Sequence, residues 1–141
     1  AAVNSLLDDI DNEMATLANH HNTEIVKASK SIIEANNTAR KVAAHILGGA
    51  NTPRRPAASG SNYLMLLGTL CGGWLMTRSG AAAADALAKG ETGAIGNDGF
   101  MKIKLTTMQI YITHHLPKIS GLACTITDGD NPALAMQPEW L

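Results

Sequence analysis

Five histidines are the side chains best suited to chemistry in this 141-residue chain: His20-His21, His45 and His114-His115. Imidazole titrates near neutrality and ligates transition metals, so such residues could transfer protons or hold iron or haem inside a helical bundle. His20 and Glu24 stand four residues apart, as do Lys41 and His45, one helical turn in each case. However, no Glu-x-x-His pair occurs, and the inward positions of the surrounding helices are aliphatic. No metal ligand is therefore assigned. His20-His21 ends the first helix, where positive charge meets the helix dipole favourably. Pro117 lacks an amide and frees the Thr113 carbonyl, so a hydrogen bond from His114-His115 to that region is expected rather than catalysis.

The other reactive residue types are as sparse. Cys71 and Cys124 lie in apolar stretches with no metal-type spacing and read as small buried hydrophobes in a reducing, cytoplasmic compartment. The apolar surroundings of Cys71 disfavour its thiolate. Asp128-Gly-Asp130-Asn131 resembles the start of a calcium loop, but Pro132 and the residues after it supply no oxygen ligands, so it reads as a turn. Neither Gly90 to Gly96 nor Gly68 to Gly72 follows a strand, which argues against a phosphate cradle. No Gly-x-Ser-x-Gly elbow occurs. Arg54 and Arg55 read as a solvated pair in a linker. No catalytic residue is assigned, and no cofactor-binding residue can be named. With 11 basic and 12 acidic side chains, formal net charge −1, nothing global favours nucleic acid.

Hydrophobic spacing says what must position these groups. Val3, Leu7, Ile10, Met14 and Leu17 form the stripe of a first amphipathic helix, about 3–20. Its acids (Asp8, Asp9, Asp11, Glu13) face a second, basic segment, which favours antiparallel pairing. Asn22-Thr23 caps that second helix, about 23–47, and its seam is Ile25, Ala28, Ile32, Ala35, Ala39, Val42 and Ile46. Residues Ala50 to Gly60 read as an exposed connector, and Ser61-Asn62 as the cap of a third helix, about 61–87. That helix carries a wide apolar face (Tyr63, Leu66, Leu67, Leu70, Cys71, Trp74, Leu75), with Gly68 and Gly72 placed for close packing. Asn97-Asp98 caps a fourth helix, about 98–126, apolar on two sides and so expected to be central, with a kink or restart at Pro117. The fold class is all-α, an up-down-up-down four-helix bundle over 1–127 with an irregular tail over 128–141. Uncharged residues run from Pro56 to Thr77, but the apolar part, Tyr63 to Met76, falls short of the ~20 residues a membrane span needs. No secretory signal or presequence is expected at the N-terminus. The start at Ala1-Ala-Val, without Met, suggests a piece of a longer protein.

Tyr63-Leu64, Leu66, Gly68, Gly72-Gly73-Trp74-Leu75 and Arg78 resemble the signature of the C-terminal helical domain appended to large acyl-CoA dehydrogenases. Lys102-Ile-Lys104-Leu, Tyr111, His115, Leu116-Pro117 and Leu122 are similar to that family's fourth-helix pattern, with Ile110-Tyr111 in place of the usual aromatic pair. The resemblance implies a parent flavoenzyme that uses FAD to remove hydrogen from the α and β carbons of an acyl-CoA. Its catalytic carboxylate and flavin site would lie in preceding domains, so neither FAD nor any catalytic residue is carried onto this chain. Implied partners are the preceding catalytic domains of the same polypeptide, acyl-CoA as the parent's substrate, and further copies in a homo-oligomer. The expected role is that of a scaffold or oligomer-forming accessory domain. The alternative is a free-standing helical interaction module without catalytic activity.

Overall fold

Periodicity of three and four becomes helix throughout the computed structural model, which describes residues 2–48, 55–92, 96, 98–128 and 130–140. The helices are α1 (Ala2–Leu17), α2 (Thr23–Gly48), α3 (Arg55–Ala88), α4 (Gly99–Ile110), α5 (Lys118–Asp128) and α6 (Asp130–Ala135). A π-helical turn, Tyr111–His115, joins α4 to α5, and a single 3-10 turn spans Pro138–Trp140. Among the described residues there is no strand. Since α4 and α5 together make the fourth limb, the architecture is an up-down-up-down four-helix bundle.

The charge asymmetry of the first two segments becomes an interface. Arg40 Nη2 donates to Asp8 Oδ1 at 2.7 Å and to Asp11 Oδ2 at 2.8 Å. Buried Asn36 donates from Nδ2 to the Leu7 carbonyl at 2.8 Å and to Asp11 Oδ1 at 2.6 Å. The α2 cap forms as its sequence suggests: Asn22 Oδ1 accepts the Glu24 amide at 2.9 Å and the Ile25 amide at 3.4 Å. Behind this polar rim, Leu7, Ile10 and Met14 of α1 meet Ile32, Ala39 and Val42 of α2, Leu66 and Leu70 of α3, and Leu116, Ile119 and Ile126 of the fourth limb. A second cluster at the other end gathers Ile25, Ala28, Ala81, Ala84 and Met108. Each fully buried Leu, Ile or Met contributes about 1.5–3 kcal/mol, so these clusters supply most of the driving force.

Several expectations are corrected. Helix α1 ends at Leu17 instead of His20, and the chain tightens through Asn19 and His20 amides donating to the Thr16 and Leu17 carbonyls. The connector expected over 50–60 is helical from Arg55 onward, while 49–54 lie outside the described residues. Pro56 sits in the first turn of α3, where a missing amide costs nothing, and Ala57 and Ala58 favour helix. Ser61-Asn62 is therefore helix interior and not a cap. The tail, expected irregular, forms α6 with Pro132 in its first turn, and then the 3-10 turn. Asp130-Asn131 accordingly opens a helix.

The central helix is α3, whose stretch from Tyr63 to Arg78 reads as a central packing seam, and the fourth, also expected to be central, is not. The 34 residues of α3 rise about 51 Å, enough to receive α4 and α5 in succession, and it also packs against α1, α2 and α6. The two apolar sides of α4 are therefore used unequally: Met108 is 1 % exposed, whereas Phe100, Ile103 and Ile110 are 42 %, 63 % and 49 % exposed. Pro117 acts as the sequence implies. The Leu116 amide donates five residues back to the Tyr111 carbonyl at 3.0 Å, and α5 starts just after the proline. Among the described residues no helix is long and apolar enough to cross a membrane.

Candidate functional site

Glycines on α3 are where the rest of the bundle comes closest. A Cβ on Gly73 would stand 2.6 Å from Ile32 Cδ1 and 3.1 Å from Leu116 Cδ1, and one on Gly80 would be 3.1 Å from Met108 Cγ. On Gly72 it would collide with the Tyr111 hydroxyl and lie 2.7 Å from Cζ. Gly72 thus takes the close-packing role expected of it, but Gly68 does not, since nothing lies within 4 Å of its Cβ position. The buried seam of α3 runs through Leu66, Leu70, Gly73, Thr77, Gly80 and Ala84. Leu64 and Leu75 point outward, 71 % and 50 % exposed, which corrects the place of Leu75 on the packed face.

Next to Gly73 and one turn further on, Trp74 and Arg78 close on a single carboxylate. Trp74 Nε1 donates to Glu13 Oε2 at 2.7 Å, and Arg78 donates from Nε to Oε1 at 2.7 Å and from Nη2 to Oε2. The Arg78 guanidinium also lies 4.7 Å from the Trp74 ring centroid, a cation–π contact. Fork geometry and charge make this the firmest polar link between α1 and α3. The Arg78 hydrogen bond, reinforced by Trp74, holds the Glu13 carboxyl below the usual carboxylate range. Across the same helix Tyr111 donates to the Thr69 carbonyl at 3.1 Å, and its ring stacks on His115 with centroids 5.1 Å apart. Burial pushes the Tyr111 hydroxyl up, with Cys71 close by. Tyr63 is half-buried, and its hydroxyl is sealed from solvent without a hydrogen-bond partner. Pro117 is exposed at the bend.

These residues hold helices together; none of them presents a nucleophile or base to a cavity. Burial raises the pKa of Cys71, which keeps it a thiol. Cys124 is exposed, against the expectation of burial, and donates from Sγ to Asp128 Oδ2 at 3.1 Å, a bond that raises its own pKa. His114 and His115 are exposed, and His115 is set against Tyr111 instead of the Thr113 carbonyl. His45 is half-buried near Asp128, whose carboxyl is lowered first by Cys124 and Thr127 and then by His45. His20 and His21 meet Asp85 of α3. Asp98 takes the N-cap position of α4, but its carboxylate pairs with Lys102 at 2.6 Å and makes no capping bond. Asn97 and Arg54 lie outside the described residues.

Two grooves of about 290 and 310 Å³ open between α2 and the fourth limb, on either side of Ser31 and Ile112. They do not fit a flavin dinucleotide. Glu34 lines one, and in the other Glu24 is held by Lys27 at 2.8 Å, so neither groove offers a net positive lining to the diphosphate, and among the described residues no strand leads a glycine-rich turn toward either groove. An apolar notch of about 260 Å³ at the opposite end is lined by Val3, Ala43, Ile46, Leu47 and Tyr63.

Glu13, Thr69, Asp85 and Asn36 escape a linear reading because their partners are 25 to 65 residues away. Glu13 is an acid beside the α1 stripe with no oppositely charged neighbour three or four residues along, but Asp8, Asp9 and Asp11 share that property, so it does not single Glu13 out.

The family model described as "Acetyl-CoA dehydrogenase C-terminal like" matches residues 6–137. No curated protein and no solved structure matches the chain.

Proposed function

Because the chain belongs to the acetyl-CoA dehydrogenase C-terminal-like family, we propose that it serves as the helical accessory domain of an FAD-dependent acyl-CoA dehydrogenase, a scaffold for the catalytic domains or for assembly of the oligomer. In this reading the parent performs α,β-dehydrogenation of an acyl-CoA with a carboxylate and flavin that lie elsewhere in its polypeptide. The observation that carries it is how the family-like motif is used. Gly72, Gly73, Trp74, Arg78 and Tyr111 are all engaged between helices, on Tyr111, Ile32, Glu13 and Thr69. These five positions serve packing between helices, while Leu64, Gly68 and Leu75 of the same motif face outward. Meanwhile Phe100, Ile103 and Ile110 share one face of α4, at spacings of three and seven, and leave apolar surface available to a neighbouring domain.

The test is to extend the reading frame upstream and express the whole polypeptide with and without this domain. The reading expects a flavin-bearing product whose oligomeric state or protease resistance falls when residues 1–141 are removed or when Ile103→Lys is introduced. An upstream sequence with no flavin domain would sink it. In that case a free-standing interaction module becomes the better account of the same α4 face.

A further inference from the structure

We propose that His20, His21 and Asp85 form a binding site for a divalent transition-metal cation, with Zn²⁺ as the probe, that clips the α1–α2 corner to the end of α3. Two neighbouring residues of the corner and one residue 65 positions away in sequence converge here. His20 Nε2 lies 3.1 Å from Asp85 Oδ1, and His21 Nδ1 lies 3.5 Å from the same oxygen. All three candidate ligand atoms lie within 4.8 Å of one another. Ligands at about 2.0–2.1 Å around a tetrahedral ion sit roughly 3.3 Å apart, so two of the three edges are already of the right length. Two imidazoles and a carboxylate are also a donor set that zinc and its neighbours accept.

Rigidity and access are divided between the ligands in a useful way. The His20 side chain is 10 % exposed, and its ring is stacked on His21 with centroids 4.2 Å apart and planes 29° apart, so the His21 ring must rotate off the stack before both in-plane lone pairs can meet one ion. His21 and Asp85 are 54 % and 51 % exposed. The carboxylate can therefore swing back to admit an ion, and water can complete the coordination. A second feature also works against binding. His20 Nδ1 accepts the Asn22 amide at 3.1 Å, which places the ring proton on Nε2, the atom that would face the metal. Binding moves that proton to Nδ1 and releases the Asn22 amide to solvent. Loss of that one hydrogen bond weakens the site about tenfold relative to an unencumbered set. The site is thus a modest clip, loaded only where free metal is available.

Titration calorimetry of the chelator-stripped full chain with Zn²⁺ tests this, with thermal melts alongside. The expected result is one Zn²⁺ per chain and a melting temperature raised by roughly 5–10 °C at a hundredfold excess over Kd. His21→Ala and Asp85→Asn should each weaken binding at least tenfold, while the double variant His114→Ala/His115→Ala binds as the parent chain does. Both single substitutions fall on half-exposed side chains, and circular dichroism of the metal-free proteins checks that they fold. Absence of stoichiometric Zn²⁺, or binding that survives both His21→Ala and Asp85→Asn, overturns the proposal.

Discussion

Gly72 and Tyr111 share one volume: the tyrosine hydroxyl occupies the space a side chain at 72 would need, and from there it donates to the Thr69 carbonyl. An aromatic ring from the π-helical turn is thereby seated directly on α3 backbone. The bend at Pro117 and the glycine on α3 are two halves of one fit.

Gly72→Ala should lower stability by about 1–3 kcal/mol, the overpacking against the Tyr111 ring and the loss of its bond to Thr69 outweighing a helix-propensity gain of about 1 kcal/mol. Gly68→Ala should do the reverse and raise stability by about 1 kcal/mol, because its Cβ meets nothing. Urea denaturation of both variants reads the sign directly. Equal effects at the two positions would contradict the packing described.

Glu13 should give the chain an acid-sensitive link. Its folded pKa lies below the ordinary value, chiefly through Arg78, so its contribution is complete above the unfolded carboxylate pKa of about 4.3 and is lost as pH falls through the lower folded value. Glu13→Gln is expected to melt about 2–4 °C lower than the parent at pH 7, with the gap closing toward pH 3. Melts across that range would refute the link if the gap were independent of pH.

Asn36 should be intolerant of truncation. It is fully buried and bonds both the Leu7 carbonyl and Asp11, so Asn36→Ala should cost about 1–3 kcal/mol. Asn36→Asp should cost more, because it buries a second carboxylate against Asp11. Chemical denaturation ranks the two, and the opposite order would count against the contact.

Ile103 should matter to assembly and not to folding. At 63 % exposed it adds little to the core, so Ile103→Lys should leave stability within about 0.5 kcal/mol of the parent. A large loss of helicity on circular dichroism would mean that this face is structural after all.

Legibility in the sequence followed the range of the interaction. The α1 and α2 stripes, the Asn22 cap and the restart at Pro117 are decided by residues within a turn or two, and all formed as read except at Val3, which opens the α1 stripe and is exposed. The start of α3 failed because proline and arginine look like linker, although a first turn accepts proline without loss. Gly68 and Gly72 are indistinguishable by spacing, and only the Tyr111 ring from another limb separates them. Trp74 and Arg78 were visible as a motif, but their common target, Glu13, was not.

By itself the sequence determined an all-helical chain, most of its seams and the break at Pro117, because backbone hydrogen bonding and amphipathic spacing are local. Only the tertiary structure decided which helix is central, which glycines are indispensable, and that His20, His21 and Asp85 meet. Those depend on helix length and on how side chains far apart in the chain compete for the same space, which no periodicity along one segment records.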